Sequence, residues 1–401
     1  MSVWLTIVGC GLGGREELSA KAKATLEKAE VVAGSERLLN IYQIPAERRF
    51  VWTVPFTAGV NYVVSRRGRP TVVLATGDPM HFGVGATLAS VVSSNEMCVL
   101  SAPSAFSLAA ARLGWPLQDA TCLSLHGRPL EGLYAELGPG ALLLILTSDG
   151  QAPAAIMELL TKAGYGHSRV VVLENLGGHN EARYDIVAAD QSGTEYADLN
   201  VLAITCVSDP DQQYFPAIPG LPDTAFLHDG QLTKREIRAV TLAGLMPTHG
   251  QRLWDVGAGC GSVAIEWLRA AARSAAVAFE REEDRCAMIE QNALGLGVPR
   301  LAVVKGEVPI SLVGQPPPDA IFHGGAVSND SVFEACWRML LSGGRLVANA
   351  VTLEGETALA RRHAEFGGEL IRMSVARSVA LGRLRGMQPS MDVTQWRVLK
   401  P

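Results

Sequence analysis

The chain has 401 residues, more than a single hydrophobic core usually serves, so we expect two domains. Hydrophobic residues make up 48% of it and charged residues 19%, a balance that is typical of a globular α/β protein and excludes a disordered or fibrous one. The formal net charge of -5 argues against a general attraction to nucleic acid or to an anionic membrane, so we predict neither as a partner.

Cysteine and histidine spacing predicts neither disulfides nor a metal site. The 7 cysteines include no CxxC pair and the 8 histidines no HExxH motif, so we interpret the cysteines as thiols in a reducing cytoplasm and expect no metal. The sequence also has neither a secretory signal pattern nor an apolar run of the roughly 18 residues that span a bilayer. We therefore predict a soluble, cytoplasmic protein.

Apolar runs of strand length alternate with helical patterns along the first half of the chain. These runs are LTIVGC, AEVVAG, TVVLATG, MCVLSA, ALLLILTS and RVVVLENL. The alternation predicts βα units and a mostly parallel sheet. Between residues 206 and 228, prolines and aspartates replace this pattern and predict a linker, after which the alternation begins again. We therefore predict domains at residues 1–205 and 229–401.

Two glycine-rich turns follow predicted strands, and the first of them is ambiguous. In VGCGLGG, Gly9, Gly11 and Gly14 satisfy the GxGxxG pattern of dinucleotide sites, while Gly13 also completes GxGxG. No acidic residue stands at the end of the next predicted strand to hold a ribose, which disfavours NAD. The Thr-Gly-Asp-Pro sequence at residues 76–79 is a second candidate element, although an ordinary Asp-Pro turn would explain it equally well.

The second turn, in WDVGAGCGSVAIEW, favours S-adenosylmethionine over a dinucleotide. Gly257, Gly259 and Gly261 form GxGxG, and Ser262 occupies the position of the third glycine in GxGxxG. The predicted strand AAVAFE then ends at Glu280, whose carboxylate can accept hydrogen bonds from both ribose hydroxyls. A plain strand-to-helix turn is the alternative here, and an NAD-dependent oxidoreductase remains open for the first turn.

Longer motifs are more specific than the glycines. The stretches VGCGLGG, TGDPMHFGVG, PSAFSLAAARLG, SLHGR and LENLGGHNEAR together resemble the tetrapyrrole methyltransferases of the cobalamin pathway, in the branch that acts on precorrin-6Y. Similarly, LTKREIRAV, WDVGAGCGSVAIEW, GEVPISL, IFHGG and LVANAVTLE resemble their decarboxylating, Rossmann-like partners. The resemblance spans the whole chain and implies an α/β protein. A two-lobed tetrapyrrole methyltransferase fold (class III) would precede a Rossmann-like S-adenosylmethionine methyltransferase domain (class I).

This resemblance implies a bifunctional enzyme. The first domain would methylate carbon 5 of precorrin-6Y, and the second would methylate carbon 15 and decarboxylate the ring C acetate, giving precorrin-8X in cobalamin biosynthesis. Members of the family tend to form homo-oligomers, so we expect one here. A non-catalytic tetrapyrrole-binding protein is an alternative from another class.

The resemblance also implies one S-adenosylmethionine per domain and carries the contacts onto this sequence. In the first domain they match Gly9, Gly11, Gly13, Gly77, Asp78 and Pro79. In the second they match Thr233, Gly257, Ala258, Gly259, Cys260, Gly261, Glu280 and Val308. The family more often has Gly-Asp-Ala-Pro where this chain has Gly-Glu-Val-Pro at 306–309, so we expect Val308 to act through its backbone. His323, where an aliphatic residue is common, is predicted to be a pocket residue or an interior histidine.

Cationic side chains near the two sites are expected because the substrate carries many carboxylates while the chain is net negative. The candidates are Arg128, Lys234, Arg235, Arg238, Arg377 and Arg383. A solvated basic surface is the alternative for each of them. The sequence predicts no catalytic acid or base.

Overall fold

The computed structural model describes residues 3–190 and 193–401. The chain divides into two compact units, one formed by Met1–Leu130 with Gly138–Gln212 and the other by Glu131–Leu137 with Gln213–Pro401. The main division, between Gln212 and Gln213, lies inside the segment predicted as a linker. Among the described residues, no helix is both long and apolar enough to cross a membrane.

The first sheet of unit 1 is entirely parallel, with strand order β3-β2-β4-β1-β5. Its strands are β1 (Leu5–Cys10), β2 (Val31–Gly34), β3 (Arg49–Val51), β4 (Thr71–Thr76) and β5 (Met97–Leu100). The helices between them are α1 (Ala20–Lys28), α2 (Glu36–Ile41), α3 (Phe56–Ser65) and α4 (Val84–Ala89). Because β1 lies between β4 and β5, the carboxyl ends of these three strands meet at one edge, where parallel α/β sheets bind ligands.

The second sheet of unit 1 is mixed, in the order β6-β7-β10-β8-β9. Its strands are β6 (Thr121–Ser124), β7 (Leu142–Leu146), β8 (Arg169–Glu174), β9 (Ala182–Val187) and β10 (Asn200–Thr205), and its helices are α5 (Ala105–Leu113) and α6 (Ala152–Lys162). Strand β10 is antiparallel to both neighbours, whereas the sequence pattern predicts a mostly parallel sheet. No helix joins β8 to β9, and a connection that short allows an antiparallel pair alone.

Unit 2 contains a seven-stranded sheet in the order β13-β12-β11-β14-β15-β19-β16. Its strands are β11 (Arg252–Val256), β12 (Ala275–Glu280), β13 (Ala302–Lys305), β14 (Ala320–His323), β15 (Arg345–Ala350), β16 (Glu369–Met373) and β19 (Val393–Leu399), and a separate hairpin pairs β17 (Ala376–Leu381) with β18 (Leu384–Pro389). Its helices are α7 (Arg235–Leu245), α8 (Ser262–Ala270), α9 (Glu283–Gly295), α10 (Asp330–Met339) and α11 (Leu353–Phe366). Strands β11 to β15 are parallel and β19 is antiparallel, as in a Rossmann-like domain.

Both faces of this sheet are buried, which explains its nearly continuous apolar strands. Leu253 and Ala278 pack on one face with the apolar side of α8. Their neighbours Trp254, Val277 and Phe279 pack on the other face with α10 and α11. Packing on both faces therefore restrains the sheet, and it fixes the end of β11, where the glycine turn begins.

The second half of the predicted linker is part of the core of unit 2. Leu221 and Phe226 are 3% and 4% exposed and pack with Leu242 and Leu268. Asn292 on α9 also donates to the Leu227 carbonyl and accepts from its amide, at 2.9 and 2.7 Å. The proline-rich composition predicts irregular backbone, but it does not reveal that this backbone is anchored to unit 2.

Candidate active sites

Unit 1 contains a cavity of about 440 Å³ at the carboxyl edge of its parallel sheet. Three of the residues predicted to bind the methyl donor, Gly11, Gly77 and Asp78, lie in its wall. The predicted residues Gly9, Gly13 and Pro79 are not among the residues that line it. Sequence reasoning missed several lining residues. Ser104 and Phe106 lie at the start of α5, His126 and Thr147 follow β6 and β7, and Asn200 begins β10.

Gly9 does not line the cavity, but it lets the turn after β1 contact the turn after β4. A Cβ at Gly9 would lie 2.4 Å from the Gly77 carbonyl oxygen and 2.6 Å from the Ala102 nitrogen. The Gly77 amide also donates to the Cys10 carbonyl at 2.8 Å, and Gly77 has a positive φ of 65°. The glycines thus let the turns after β1 and β4 approach each other closely.

The Asp-Pro turn at residues 78–79 is held by contacts with the residues that directly follow it. Asp78 accepts from the Met80 amide at 2.8 Å, so one carboxylate oxygen has a local partner. The Pro79 carbonyl packs against Gly83 and Gly85, where an added Cβ would come within 2.6 Å of it. Gly13 donates its amide to Glu17 at 3.1 Å. Asp78 and Gly83 thus lie in the cavity wall, whereas Gly13 and Pro79 belong to the adjoining turns.

Aromatic rings and a guanidinium group form part of the cavity wall. His81 lies 4.9 Å from Phe106 and 5.1 Å from Phe82, centroid to centroid. Arg128 lies over the Phe82 ring at 5.7 Å and donates to the Ser124 carbonyl at 2.9 Å. The structure thus places Arg128 in the cavity with donors left over for an anion, since a guanidinium has five.

The second glycine turn connects β11 to α8 in unit 2. Gly257, Gly259 and Gly261 have φ values of 73°, 60° and 78°, which side chains disfavour. A Cβ at Gly257 would lie 2.7 Å from the Cα of Gly325, the residue two beyond the end of β14. The backbone at Gly257 is therefore packed too tightly against Gly325 to accept a side chain.

Glu280 lies against this turn at the end of β12. It is 6% exposed, and its carboxylate accepts from the amides of Gly259, Arg281 and Glu282 at 2.9, 2.9 and 3.1 Å. Its own carbonyl accepts from Gly306 at 3.0 Å, which places the turn containing Val308 next to it. The backbone amides fix the orientation of this carboxylate.

Asp255, which precedes the turn, is a buried acid that sequence reasoning missed. One carboxylate oxygen accepts from the Ala264 amide at 3.1 Å, while the other has no partner among the described residues. Burial raises the pKa of Asp255 to about 7, and the nearby Glu280 carboxylate acts in the same direction. Its position between Trp254 and Val256 in an apolar strand was the available signal.

We expect wild-type protein to lose stability relative to Asp255→Asn as the pH rises from about 4 to about 7. The folded-state pKa of about 7 exceeds the usual 3.8, so the folded chain binds more protons than the unfolded chain across this window. The extra stability is complete below the unfolded pKa and is lost through the folded one. Urea unfolding of both proteins at several pH values measures the difference, which should level off above the window; a pH-independent difference would contradict the expectation.

Among the candidate cations of unit 2, Arg238 is not a substrate ligand. It is fully buried, and its guanidinium donates to Glu266 at 2.6 Å, to the Thr233 carbonyl at 2.6 Å and to the Leu221 carbonyl. It also lies 3.4 Å from Asp223. Since its donors are used within the fold, the prediction that it captures a substrate carboxylate is wrong, and its role is to hold the chain before α7 in place.

The remaining cations of unit 2 have different surroundings. Arg377 on β17 pairs with Glu236 and lies 3.8 Å from Asp223. Lys234 is half-buried at the start of α7, whereas Arg235 and Arg383 are exposed. The substrate role of these four residues stays a prediction.

His323 is an interior histidine. It is fully buried at the end of β14, and neither ring nitrogen has a hydrogen-bond partner among the described residues. Burial, together with the Arg362 charge, lowers the pKa of His323 to about 3. The ring is therefore neutral and does not form part of an open pocket rim.

Comparison with known proteins gives matches along nearly the whole chain. The family of tetrapyrrole (corrin/porphyrin) methylases matches residues 4–190, and the precorrin methyltransferase domain matches residues 224–400. A precorrin-6Y C(5,15)-methyltransferase (decarboxylating) from a Sinorhizobium species is 48% identical over 99% of this chain and 96% of its own length.

Two shorter relatives each correspond to less than half of the chain. A cobalt-precorrin-7 C(5)-methyltransferase from Salmonella typhimurium is 29% identical over 44% of this chain and 87% of its own length. A probable cobalt-precorrin-6B C(15)-methyltransferase (decarboxylating) from Saccharolobus solfataricus is 32% identical over 34% of this chain and 72% of its own length.

The two glycine turns at strand ends, with matches to two methyltransferase families, define the chain as a methyltransferase. It belongs to the family of decarboxylating precorrin-6Y C(5,15)-methyltransferases, because the similarity to the Sinorhizobium enzyme extends over both units. The resemblance in the sequence motifs is thereby confirmed, as is the α/β fold class. Membership of this family implies S-adenosylmethionine as the methyl donor.

Proposed function

We propose that the chain methylates precorrin-6Y at carbons 5 and 15 and decarboxylates the ring C acetate, giving precorrin-8X in cobalamin biosynthesis. The observation that carries this proposal is the 48% identity to a relative of that name over 99% of the chain. The presence of a glycine turn at a sheet edge in each unit supports two separate methyl-transfer sites.

We assign carbon 5 to unit 1, and carbon 15 with the decarboxylation to unit 2. The two shorter relatives support this division, because a C(5)-methyltransferase and a decarboxylating C(15)-methyltransferase exist as separate proteins. The two meso carbons lie at different distances from the carboxylate arms of the macrocycle. One site could not present both carbons to the same methyl group without releasing and rebinding the substrate.

Both turns fit one S-adenosylmethionine per domain. When bound, this cofactor supplies an electrophilic methyl group on a sulfonium. In unit 2, three backbone amides leave Glu280 one lone pair, on the oxygen that also accepts from Gly259, for a ribose hydroxyl. The Gly257–Gly261 turn beside it suits a ligand that has no pyrophosphate. In unit 1, the Gly11 and Gly77 backbones and Asp78 lie together in the cavity wall.

The chain contributes mainly positioning in the proposed reaction. The exposed ring of Phe82 offers an apolar surface to the macrocycle, while Arg128 can hold one of its carboxylates. Fixing the meso carbon in line with the transferred methyl removes much of the entropic cost of a bimolecular reaction. Decarboxylation in unit 2 needs no further cofactor, because the conjugated imine of the macrocycle can accept the electrons that remain when carbon dioxide leaves.

The proposal predicts the mass and labelling of the product. Purified protein with precorrin-6Y and methyl-labelled S-adenosylmethionine should give a product that gains two methyl groups and loses one carbon dioxide. NMR of the labelled product should place the methyls on carbons 5 and 15. Unchanged substrate mass would contradict catalysis, and calorimetric titration that detects NADH in place of S-adenosylmethionine would support an oxidoreductase.

A further inference from the structure

We propose that His126 accepts the proton that leaves carbon 5 when the methyl group arrives. His126 lines the same cavity as Gly11, Gly77 and Asp78, and it stands two residues before Arg128. The inference rests on the proposed function of unit 1 and assigns a catalytic base to it.

The hydrogen bonding of the ring favours one tautomer. Nδ1 of His126 lies 3.3 Å from the carbonyl oxygen of Thr147, another residue of the cavity wall. A carbonyl oxygen accepts hydrogen bonds and cannot donate them, so the proton of the neutral ring is on Nδ1. Nε2 therefore carries the lone pair, and the Thr147 carbonyl holds the ring in the orientation that makes this nitrogen a base.

Other ionisable groups in the cavity are less suited to the role. Asp78 and Asp198 each have an oxygen bound to a backbone amide, of Met80 and Gly150 respectively, at 2.8 and 3.1 Å. Burial raises the pKa of the Cys10 thiol to about 12, so it stays protonated. The ring of His81 contacts Phe82 and Phe106, and no hydrogen bond within the described residues fixes its tautomer. Arg128 carries a permanent positive charge.

The proposed step balances without an oxidant or reductant. Electrons of the macrocycle form a bond from carbon 5 to the methyl carbon while the methyl–sulfur bond breaks and its electron pair stays on sulfur. The hydrogen on carbon 5 then leaves as a proton to Nε2 of His126, and the electrons of the carbon–hydrogen bond restore the conjugation. Solvent afterwards takes the proton from the imidazolium.

Two substitutions at His126 separate the base from the hydrogen bond. His126→Asn keeps an N–H donor for the Thr147 carbonyl but removes the basic nitrogen, and His126→Ala removes both. We expect kcat for carbon 5 methylation to fall by about 10²- to 10⁴-fold in each, as for loss of a general base. Added imidazole should restore a large part of the rate in His126→Ala, whose vacated space admits it.

Two controls test whether the His126 variants lose activity only because the structure of unit 1 is disturbed. S-adenosylmethionine affinity, measured by calorimetry, should change less than about twofold because Nε2 makes no part of the glycine turn. His167→Gln, at an exposed histidine of unit 1 that lies 3.8 Å from Asp209, should leave the rate unchanged.

The outcomes of these experiments either support the role of His126 as a base or overturn it. Retention of wild-type kcat in His126→Asn would overturn the inference, and so would a loss confined to KM or one that imidazole does not relieve. If the wild-type protein itself fails to methylate carbon 5, the proposed function of unit 1 fails, and the role of His126 fails with it.

Discussion

Alanine at Gly257 should lower the rates of carbon 15 methylation and carbon dioxide release by about 10²-fold or more, while unit 1 continues to bind S-adenosylmethionine. The added Cβ would lie 2.7 Å from Cα and 2.8 Å from the nitrogen of Gly325, both of which are backbone atoms. The φ of 73° adds strain for any residue with a side chain. The turn must then move by a substantial part of an ångström, and a displacement of about 1 Å near a reacting group costs about 10²-fold or more in rate.

Gly9→Ala is the reciprocal variant and should remove carbon 5 methylation. Its Cβ would come within 2.4 Å of the Gly77 carbonyl, so the two turns of unit 1 could no longer meet. Mass spectrometry and NMR of the products separate the two defects, and mixing the two variants should restore the complete product. A Gly257→Ala protein that still releases carbon dioxide at the wild-type rate would refute the division of labour.

Glycines with room for a methyl group provide the controls. Gly295, at the end of α9, has no atom within 4 Å of an added Cβ, and at Gly166 in unit 1 the nearest atom is 3.5 Å away. Neither has a positive φ. Alanine at either position should leave both methylations intact.

Arg238→Ala should destabilise unit 2 by about 3–5 kcal/mol, the usual cost of removing one partner of a buried ion pair. Glu266, which is 1% exposed, would keep its charge without its guanidinium partner. Glu266 also accepts from the amides of Gly220 and Leu221 at 2.6 and 3.0 Å, so the loss should loosen this part of the chain.

Urea unfolding followed by tryptophan fluorescence measures this effect, because Trp254, Trp267 and Trp396 are all buried in unit 2. Arg235→Ala, at an exposed position on the same helix, should change the free energy of unfolding by less than about 0.5 kcal/mol. A double variant, Arg238→Met with Glu266→Leu, should be less destabilised than the sum of its single variants. Equal effects of Arg238→Ala and Arg235→Ala would show that the buried network does not stabilise the unit.

Sequence alone predicts features that depend on local spacing. The turn at Gly257–Gly261 and the position of Glu280 at the end of the next strand follow from residue order. The burial of Arg238 was also readable, because it shares the helical spacing of Thr241, Leu242 and Leu245, all of which face the core. The positive charge of Arg238 favours a substrate contact, whereas its helical spacing indicates a buried position.

Features that join distant parts of the chain could not be predicted in this way. His126 and Thr147 follow the neighbouring strands β6 and β7. The residues around His126 in the sequence do not indicate that its Nδ1 makes a hydrogen bond to the Thr147 carbonyl. The antiparallel position of β10 likewise depends on which strands pair, and apolar runs do not specify their partners.

The anchoring of residues 220–227 to unit 2 determines where the chain can be cut without harm. A protease should cleave within the exposed residues 210–214 and spare the stretch from Gly220 to Leu227, which Glu266 and Asn292 hold. A separated second half that begins at residue 229 would leave the apolar surface beneath Leu221 and Phe226 open to water. One that begins at residue 213 would keep that surface covered.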